Sequence, residues 1–312
     1  MKPKRILIVG FGNLGARYLQ GLRDIAANLS VDIIEPKTDN YENGLETIGI
    51  LKSDFKDLNH LCMEELTGHY DVVVISTSSK IRGIIAEKVL SKVLVTSWIF
   101  EKVLVQSMLD LEKLENCFKN QNVWVNTNRR IMPFYQQFLR VVAGQKKLKF
   151  SINWKNLALG CNAIHFIDLV EFLSGSQLVK ISIESAGGWY ESKRAGYSDF
   201  EGKLIATYSD GSSLSIDSES NLARSITCMV DNKIYFIDES MGVIHEGQEI
   251  IVGRLQYQSE LSGFLVESLI KDEVENFLPD LRTSIRQHRY LFNAIADCSK
   301  LNYLDHEIWP IT

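Results

Sequence analysis

Residues 5 to 35 read RILIVGFGNLGARYLQGLRDIAANLSVDIIE, and this stretch decides the fold that we predict. A short apolar run, Ile6 to Val9, leads into the glycine turn Gly10-Phe11-Gly12-Asn13-Leu14-Gly15, and apolar residues then recur every three or four positions as far as Ile25. A second apolar run, Val31 to Ile34, ends at Glu35. The order of strand, glycine turn, helix, strand and acid is typical of a βαβ unit that binds a dinucleotide.

Each part of this pattern has a physical role in binding. Gly10 permits the tight turn, Gly12 lets a pyrophosphate approach the backbone, and Gly15 lets the helix lie close to the sheet. The free N–H groups of the first helical turn bind phosphate, so we expect the whole turn, Gly10 to Gly15, to contact the cofactor. Glu35 lies twenty residues after Gly15, where a carboxylate binds the adenosine ribose and repels a 2′-phosphate. This favours NAD, while the nearby Lys37 leaves NADP open; a glycine turn that only packs is the alternative interpretation.

The composition is that of an ordinary globular protein and excludes several classes. The chain has 312 residues, 45% hydrophobic and 23% charged, with a net charge of −5 and a pI near 5.8, so nothing suggests a nucleic-acid surface. The apolar run after MKPKR is too short for a signal peptide or a membrane anchor. Five scattered cysteines without CxxC spacing suggest reduced thiols in a cytoplasmic protein. No two histidines have metal-ligand spacing with an acid, so we predict no metal.

Strands and helices alternate through the first part of the chain. Further strands are predicted at Asp71–Ile75, Val93–Thr96 and 123–126, with one helix that follows Ser79 and runs to about Ser91 and another at about 104–119. This alternation predicts an α/β fold, with an N-terminal Rossmann domain built on a doubly wound parallel sheet over residues 1–126.

From about residue 148 the pattern changes to strands with period-two alternation. Helical stretches are predicted at Asn162–Leu173, 257–272 and 280–299. We therefore expect a C-terminal α+β domain over 127–312, with a mostly antiparallel open sheet, helices on one face and a tail, WPIT, that returns to the first domain. The other face of that sheet is a candidate surface for a homo-oligomer, a dimer or a tetramer.

Polar residues follow the carboxyl ends of the predicted parallel strands, where such sheets bind ligands. We expect Ser76, Thr77, Ser78, Glu101 and Lys102 to contact the cofactor. The Lys102 ammonium is also suited to bind a substrate hydroxyl and to stabilise a developing alkoxide, although a solvated Glu-Lys pair is the alternative.

Two arginines, Arg129 and Arg130, follow the strand at 123–126. Guanidinium groups bind carboxylates and phosphates bidentately, so this pair is a candidate to hold an acidic sugar or a nucleotide sugar. A surface ion pair with nearby acids is the alternative.

A second polar cluster lies on a predicted helix. Cys161, Asn162, His165 and Asp168 recur three to four residues apart and so share one face. His165 can accept a proton from a hydroxyl, Asp168 can orient the imidazole or bind substrate, and Asn162 can hydrogen-bond substrate. The alternative is a core histidine with a solvated aspartate. A later glycine-containing loop carries four candidates to close over the substrate: Trp189, Tyr190, Lys193 and Arg194.

Taken together, these motifs resemble the Gfo/Idh/MocA family, named for glucose-fructose oxidoreductase and inositol dehydrogenase, over nearly the whole chain. VGFGNLG at 9–15 and Glu35 match its cofactor motif, Glu101-Lys102 stands in the place of its Glu-Lys-Pro, and IHFID at 164–168 stands in the place of its His-x-x-Asp helix. The resemblance implies that Lys102 and His165 are the catalytic pair and that Asp168 touches substrate. NxxRRxxPFY at 126–135 and GCNAIHFID also resemble a branch found with bacterial surface-sugar (polysaccharide) pathways.

The sequence departs from this family twice: Val103 replaces the proline, and Cys161 replaces an aspartate often found four residues before the histidine. The resemblance implies an NAD(P)-dependent oxidoreductase that transfers a hydride between a nicotinamide and a hydroxyl or keto carbon of a sugar or nucleotide-sugar-like substrate. Two alternatives remain: a non-catalytic NAD(H)- or sugar-binding protein, suggested by Cys161, and an NAD-using epimerase or lyase.

Overall fold

The apolar run before the glycine turn forms a strand, Lys4–Val9, in the middle of a parallel sheet. In this computed structural model, which describes residues 3–144, 147–275, 277–299, 301 and 308–312, the chain divides into two compact units. The first consists of Met1–Val105, Glu112–Asn126 and Gln256–Arg282. The second consists of Gln106–Leu111, Thr127–Leu255 and Thr283–Thr312.

The sheet of the first unit has six described strands: β1 (Lys4–Val9), β2 (Leu29–Ile34), β3 (Asp57–Leu61), β4 (His69–Ile75), β5 (Leu94–Glu101) and β6 (Val123–Asn126). They pair in the order β3-β2-β1-β4-β5-β6, and each neighbouring pair is parallel. The run Val72–Ile75 is fully buried, as is typical of a strand covered on both faces. The predicted doubly wound sheet is therefore confirmed. Strand β3 was not predicted, because it lies at the sheet edge and buries only Leu58.

The helices of the first unit include α1 (Asn13–Leu22), α2 (Thr38–Ile48), α3 (Ser79–Leu90) and α7 (Gln258–Lys271); α4 spans Met108–Phe118. The stretch 257–272 is predicted to lie in the second domain, whereas in the structure α7 packs against α1. A Cβ atom on Gly21 would lie 2.0 Å from the Ser259 carbonyl oxygen, and one on Gly263 would lie 2.5 Å from the Gly21 carbonyl oxygen. These glycines let the two backbones touch, which local periodicity does not reveal. The division at residue 126 stays a prediction.

The second unit is built on an eight-stranded sheet. Its strands are β7 (Leu148–Asn153), β8 (Leu178–Glu191), β9 (Ser198–Tyr208), β10 (Ser213–Asp217), β11 (Ser225–Val230), β12 (Lys233–Asp238), β13 (Val243–Glu246) and β14 (Gln248–Val252). The order is β14-β13-β12-β11-β7-β10-β9-β8, antiparallel except between β7 and β10. Buried and half-buried residues alternate along β9, as period two requires. The predicted mostly antiparallel sheet is confirmed.

Three further helices are α5 (Pro133–Val142), α6 (Leu159–Ser174) and α8 (Leu281–Asp297). Helix α6 packs against β9 and β10, and α5 was not predicted. The tail at 308–312 lies in the second unit, where the Trp309 N–H donates to the Gln106 carbonyl at 2.7 Å and the Ser198 N–H donates to the Pro310 carbonyl at 2.8 Å. Among the described helices, none combines the length and the apolar character needed to span a bilayer.

Candidate functional site

In the glycine turn after β1, Gly10 and Gly15 are closely packed against neighbouring backbone, whereas Gly12 between them faces open space. Gly10 has φ +88°, and its N–H donates to the Ile34 carbonyl at 2.8 Å. A Cβ atom on Gly15 would lie 2.1 Å from the Gly10 carbonyl oxygen, so α1 approaches the strand end at a distance that only glycine allows. A Cβ atom on Gly12, in contrast, would meet no described atom within 4 Å. The turn therefore leaves open space at the position predicted to admit a pyrophosphate.

The start of α1 offers hydrogen-bond donors to that space. Gly12 is the N-cap residue; it makes no side-chain cap hydrogen bond, and the first turn contains no acidic residue. The first N–H groups of a helix have no intrahelical partners, and together with the helix dipole they bind phosphate. Gly12 and Asn13 are exposed and Leu14 is half-buried, so the backbone here is accessible. These residues fit the pyrophosphate of a dinucleotide.

Glu35 lies beside the same turn. One of its carboxylate oxygens accepts the Phe11 N–H at 2.9 Å. The other accepts the Asn40 amide at 3.0 Å and the Lys37 N–H at 3.3 Å. The Phe11 side chain is buried, with its ring centroid 5.6 Å from that of Tyr41, so Phe11 presents only backbone to a ligand. The structure thus brings the predicted ribose-binding acid and the predicted phosphate turn together.

The loop after β4 lies against the glycine turn. The Ser76 hydroxyl donates to the Gly10 carbonyl at 2.7 Å, and its N–H donates to the Val9 carbonyl at 2.9 Å. The Thr77 hydroxyl oxygen is buried and has no hydrogen-bond partner among the described residues, while Ser78 is half-buried and precedes α3. Strand order reverses between β1 and β4, and ligands bind at such a switch point.

Glu101, at the end of β5, is not a solvated residue, since its exposed fraction is 3%. Its carboxylate accepts the Tyr18 hydroxyl at 2.6 Å and the Asn126 amide at 2.7 Å. Burial raises the pKa of the Glu101 carboxyl, although these two hydrogen bonds oppose the shift. The solvated-pair alternative therefore fails for this residue. The network with Tyr18 and Asn126 has no signature in the sequence, because its members come from α1, β5 and β6.

The segment that carries Lys102 is fixed by a buried arginine. The Arg82 guanidinium, from α3, donates to the carbonyls of Thr77, Val103 and Leu104, and so ties the chain after β5 to the chain after β4. The Lys102–Val103 peptide bond is cis, and Lys102 itself is half-buried. Arg82 was missed because an arginine within a short helix has no local signature of burial.

In the second unit, α6 carries His165 and Asp168. His165 has an exposed fraction of 9%, and Asp168 of 0%. The Asp168 carboxylate accepts hydrogen bonds from Thr127 at 2.7 Å, from Arg130 at 2.9 Å and from Gln287 at 3.2 Å. A solvated aspartate is therefore excluded, and substrate contact by Asp168 stays a prediction.

Both predicted arginines form ion pairs with carboxylates of their own unit. Arg129 binds Glu239 with two hydrogen bonds of 2.9 and 3.3 Å, and the Tyr135 hydroxyl donates to the same carboxylate at 2.7 Å. Burial alone would raise the pKa of Glu239, but the Arg129 guanidinium holds it below its ordinary value. Arg130 pairs with Asp168. Both arginines thus pair with carboxylates that are buried, whereas the alternative interpretation expected ion pairs at the surface. Substrate binding by the arginines stays a prediction.

The start of α6 holds the remaining candidates. The Asn162 amide donates to the Leu157 carbonyl at 2.6 Å, and the Cys161 thiol donates to the Thr312 backbone oxygen at 2.7 Å. Within the described ranges, no group of three His, Cys, Asp or Glu side chains is arranged to hold a metal ion.

The first unit thus has a parallel sheet with a glycine turn that leaves open space at Gly12, and the second has a large, mostly antiparallel sheet. No protein-family model matches the chain, and no curated protein matches it. Solved structures do match. An oxidoreductase from Thermotoga maritima has a TM-score of 0.70 at 13% identity, covering 96% of this chain and 98% of that one.

Two further structures give the same result. A Gfo/Idh/MocA family oxidoreductase from Vibrio cholerae has a TM-score of 0.66 at 17% identity, covering 94% of this chain and 96% of that one. An oxidoreductase from Agrobacterium radiobacter in complex with NAD+, L-tartaric acid and magnesium has a TM-score of 0.64 at 11% identity, covering 95% and 97%. The chain therefore has the fold of the Gfo/Idh/MocA oxidoreductases, as the resemblance implies.

Proposed function

We propose that this protein is an NAD(P)-dependent oxidoreductase acting on a hydroxyl or keto carbon of a sugar or nucleotide-sugar-like substrate. The observation that carries the proposal is the open space at Gly12, beside an uncapped helix start and the Glu35 carboxylate. Residues 10–15 would hold the pyrophosphate and Glu35 the adenosine ribose. The dinucleotide, when bound, supplies the hydride acceptor or donor. The NAD+ bound to the Agrobacterium protein supports this assignment.

The preference between the two nicotinamide cofactors follows from charge. A carboxylate at Glu35 repels a 2′-phosphate, which favours NAD. The Lys37 side chain is exposed next to it and keeps NADP as the alternative.

Lys102 and His165 are the residues that we assign to chemistry. The Lys102 ammonium hydrogen-bonds the reacting oxygen and stabilises its negative charge, and Arg82 fixes the backbone that follows it. The His165 imidazole accepts the proton of the substrate hydroxyl during oxidation and returns it during reduction. We assign cofactor binding also to Ser76, Thr77, Ser78 and Glu101. We assign substrate binding to Arg129, Arg130, Asn162 and Asp168.

The test combines binding with turnover. Mass spectrometry of the ligands that co-purify with the protein and are then released from it identifies the cofactor. Titration of the ligand-free protein with NADH and NADPH measures its preference. Absorbance of the reduced nicotinamide is then followed with sugars and nucleotide sugars. We expect NADH to bind and at least one sugar to be oxidised. Failure of both reduced cofactors to bind at millimolar concentration would refute the proposal.

One observation favours a second candidate, a binding protein without catalysis. Position 161 carries a neutral thiol where the family often has an aspartate, and this thiol donates to the Thr312 backbone oxygen. If Cys161→Asp binds NADH but shows no redox activity with any sugar, the binding protein is favoured.

An epimerase or lyase is distinguished from a dehydrogenase by product analysis, since it accumulates no NADH. The surface-polysaccharide role, the cytoplasmic location and the homo-oligomer stay predictions.

A further inference from the structure

A cavity of about 730 Å³ opens at the start of α6, entirely within the second unit. Its walls come from the segment before α6, from Cys161 and Asn162 on the first turn of α6, and from the hairpin of β8 and β9. Cys161 lies one helical turn before His165, and the volume is typical of a site for a small ligand. The mechanism described above uses little of this cavity.

Two acidic residues of β9, the buried Asp199 and the half-buried Glu201, line the cavity. Asp199, with an exposed fraction of 3%, accepts the N–H groups of Gly160 at 2.7 Å and Phe200 at 2.9 Å. One oxygen of Glu201 accepts the Ala158 N–H at 2.9 Å and the Tyr190 hydroxyl at 2.7 Å. The other oxygen of Glu201 is buried and has no hydrogen-bond partner among the described residues. A buried acceptor without a donor is destabilising, and a ligand hydroxyl would satisfy it.

The segment before α6, which Glu201 contacts, has an uncommon backbone. Asn156 and Ala158, both lining the cavity, have φ +61°, in the left-handed region that residues other than glycine seldom adopt. Glu201 holds Ala158 in place through its backbone N–H. Backbone of this kind persists only when its surroundings enforce it, and it concentrates at functional sites.

Two cations stand at the mouth of the cavity, on the turn between β8 and β9. The Tyr197 N–H donates to the Arg194 carbonyl at 3.1 Å and the Ser192 N–H donates to the Tyr197 carbonyl at 2.8 Å, so the turn is well formed. Lys193 and Arg194 are exposed, and within the described ranges neither forms an ion pair. They differ in this from Arg129 and Arg130, whose guanidinium groups bind carboxylates of the chain.

We propose that this cavity binds a polyhydroxylated acid, with Asp199 and Glu201 accepting hydrogen bonds from its hydroxyls and with Lys193 and Arg194 binding its anionic group. The role of this acid as a substrate rests on the proposed function, whereas its binding in the cavity does not. A divalent cation fits less well, because the described residues offer no cluster of three metal-ligating side chains and one oxygen of Asp199 already accepts two backbone N–H groups.

The first experiment uses the full chain and calorimetric titration with matched sugars. The probes are glucuronate and galacturonate, their neutral parents glucose and galactose, and glucose 6-phosphate, which separates a carboxylate from a phosphate as the anionic group. We expect at least one acid to bind tenfold or more tightly than its neutral parent. Equal affinity of acid and parent, or no binding of any probe at 10 mM, would overturn the proposal.

Variants then test the residues. Lys193→Ala with Arg194→Ala should abolish the preference for the acid, whereas the control pair Lys149→Ala with Lys180→Ala, also exposed in the second unit, should retain it. An unchanged preference in the first pair contradicts the assignment.

Glu201→Gln separates binding from a structural role. Gln keeps the oxygen that accepts from Ala158 and Tyr190 but turns the unpartnered oxygen into a donor. We expect the affinity for acids and neutral parents alike to fall at least tenfold, without a lower melting temperature. A lower melting temperature with unchanged affinity would assign Glu201 to structure alone.

The same titrations distinguish this inference from the proposed function. If NADH binds and no sugar acid binds, the inference fails and the oxidoreductase stands. If sugar acids bind in the cavity and neither reduced cofactor binds, the inference stands and the oxidoreductase fails.

Discussion

Replacing Gly12 with valine should remove cofactor binding while leaving the fold intact. Gly12 has φ −72° and ψ −170°, which valine adopts readily, and a Cβ atom there meets no described atom within 4 Å. The branched side chain would therefore occupy the open space that we assign to the pyrophosphate. At Gly15, in contrast, even the Cβ atom of alanine would lie 2.1 Å from the Gly10 carbonyl oxygen, so Gly15→Ala should disrupt the turn itself.

The expected magnitude follows from the hydrogen bonds that are lost. A hydrogen bond to a charged group contributes about 1.5–3 kcal/mol, and the pyrophosphate should accept at least two from the start of α1. Losing two costs about 3 kcal/mol or more, which corresponds to a loss of at least about a hundredfold in affinity. Valine is a poorer N-cap than glycine, so about 1 kcal/mol of unfolding free energy is the most that stability should lose.

The assay is a fluorescence titration with NADH beside a thermal melt. The control is Gly83→Ala in α3, where a Cβ atom would have one described neighbour within 4 Å, at an ordinary 3.7 Å, and where alanine favours the helix. We expect the control to bind NADH like the unaltered protein and to melt no earlier. If Gly12→Val binds NADH within threefold of the unaltered protein, the assignment of the turn to a dinucleotide is wrong.

Three other predictions concern catalysis, packing and pH. Lys102→Ala and His165→Ala should each retain NADH affinity and lose turnover by about a hundredfold or more, and near-full turnover in both would contradict the assigned roles. Asp168→Ala leaves the Arg130 guanidinium without its buried partner, so denaturant unfolding should show a loss of about 3–5 kcal/mol; an unchanged stability would instead favour a free, substrate-binding carboxylate. Burial raises the pKa of Asp199 from 3.8 to about 6, so the folded state holds that proton more tightly than the unfolded state. The resulting stabilisation is complete below pH 3.8 and disappears as the pH rises through about 6. Relative to Asp199→Asn, the unfolding free energy of the unaltered protein should therefore fall by up to about 3 kcal/mol over that range, and parallel pH profiles would refute the shift.

The sequence alone predicted the elements whose chemistry is local. The glycine turn, the acid at Glu35 and the buried strand at 71–75 follow from spacing and composition, because a βαβ unit imposes both within about 30 residues. The period-two segments after residue 148 similarly indicated the second sheet. Helix α2 and strand β3 were not predicted, because the polar segment that contains them has no strong hydrophobic periodicity.

Only the tertiary structure decided which side chains meet across long stretches of chain. It buried Glu101 against Tyr18, paired Arg130 with Asp168, and packed α7 on α1, and none of these contacts has a local signature. It also formed the cavity at the start of α6 from residues that lie more than thirty positions apart, such as Cys161 and Glu201. The physical reason is that periodicity reports which face of an element is apolar, whereas the partner of a polar side chain is fixed only when packed elements leave a single donor or acceptor within reach.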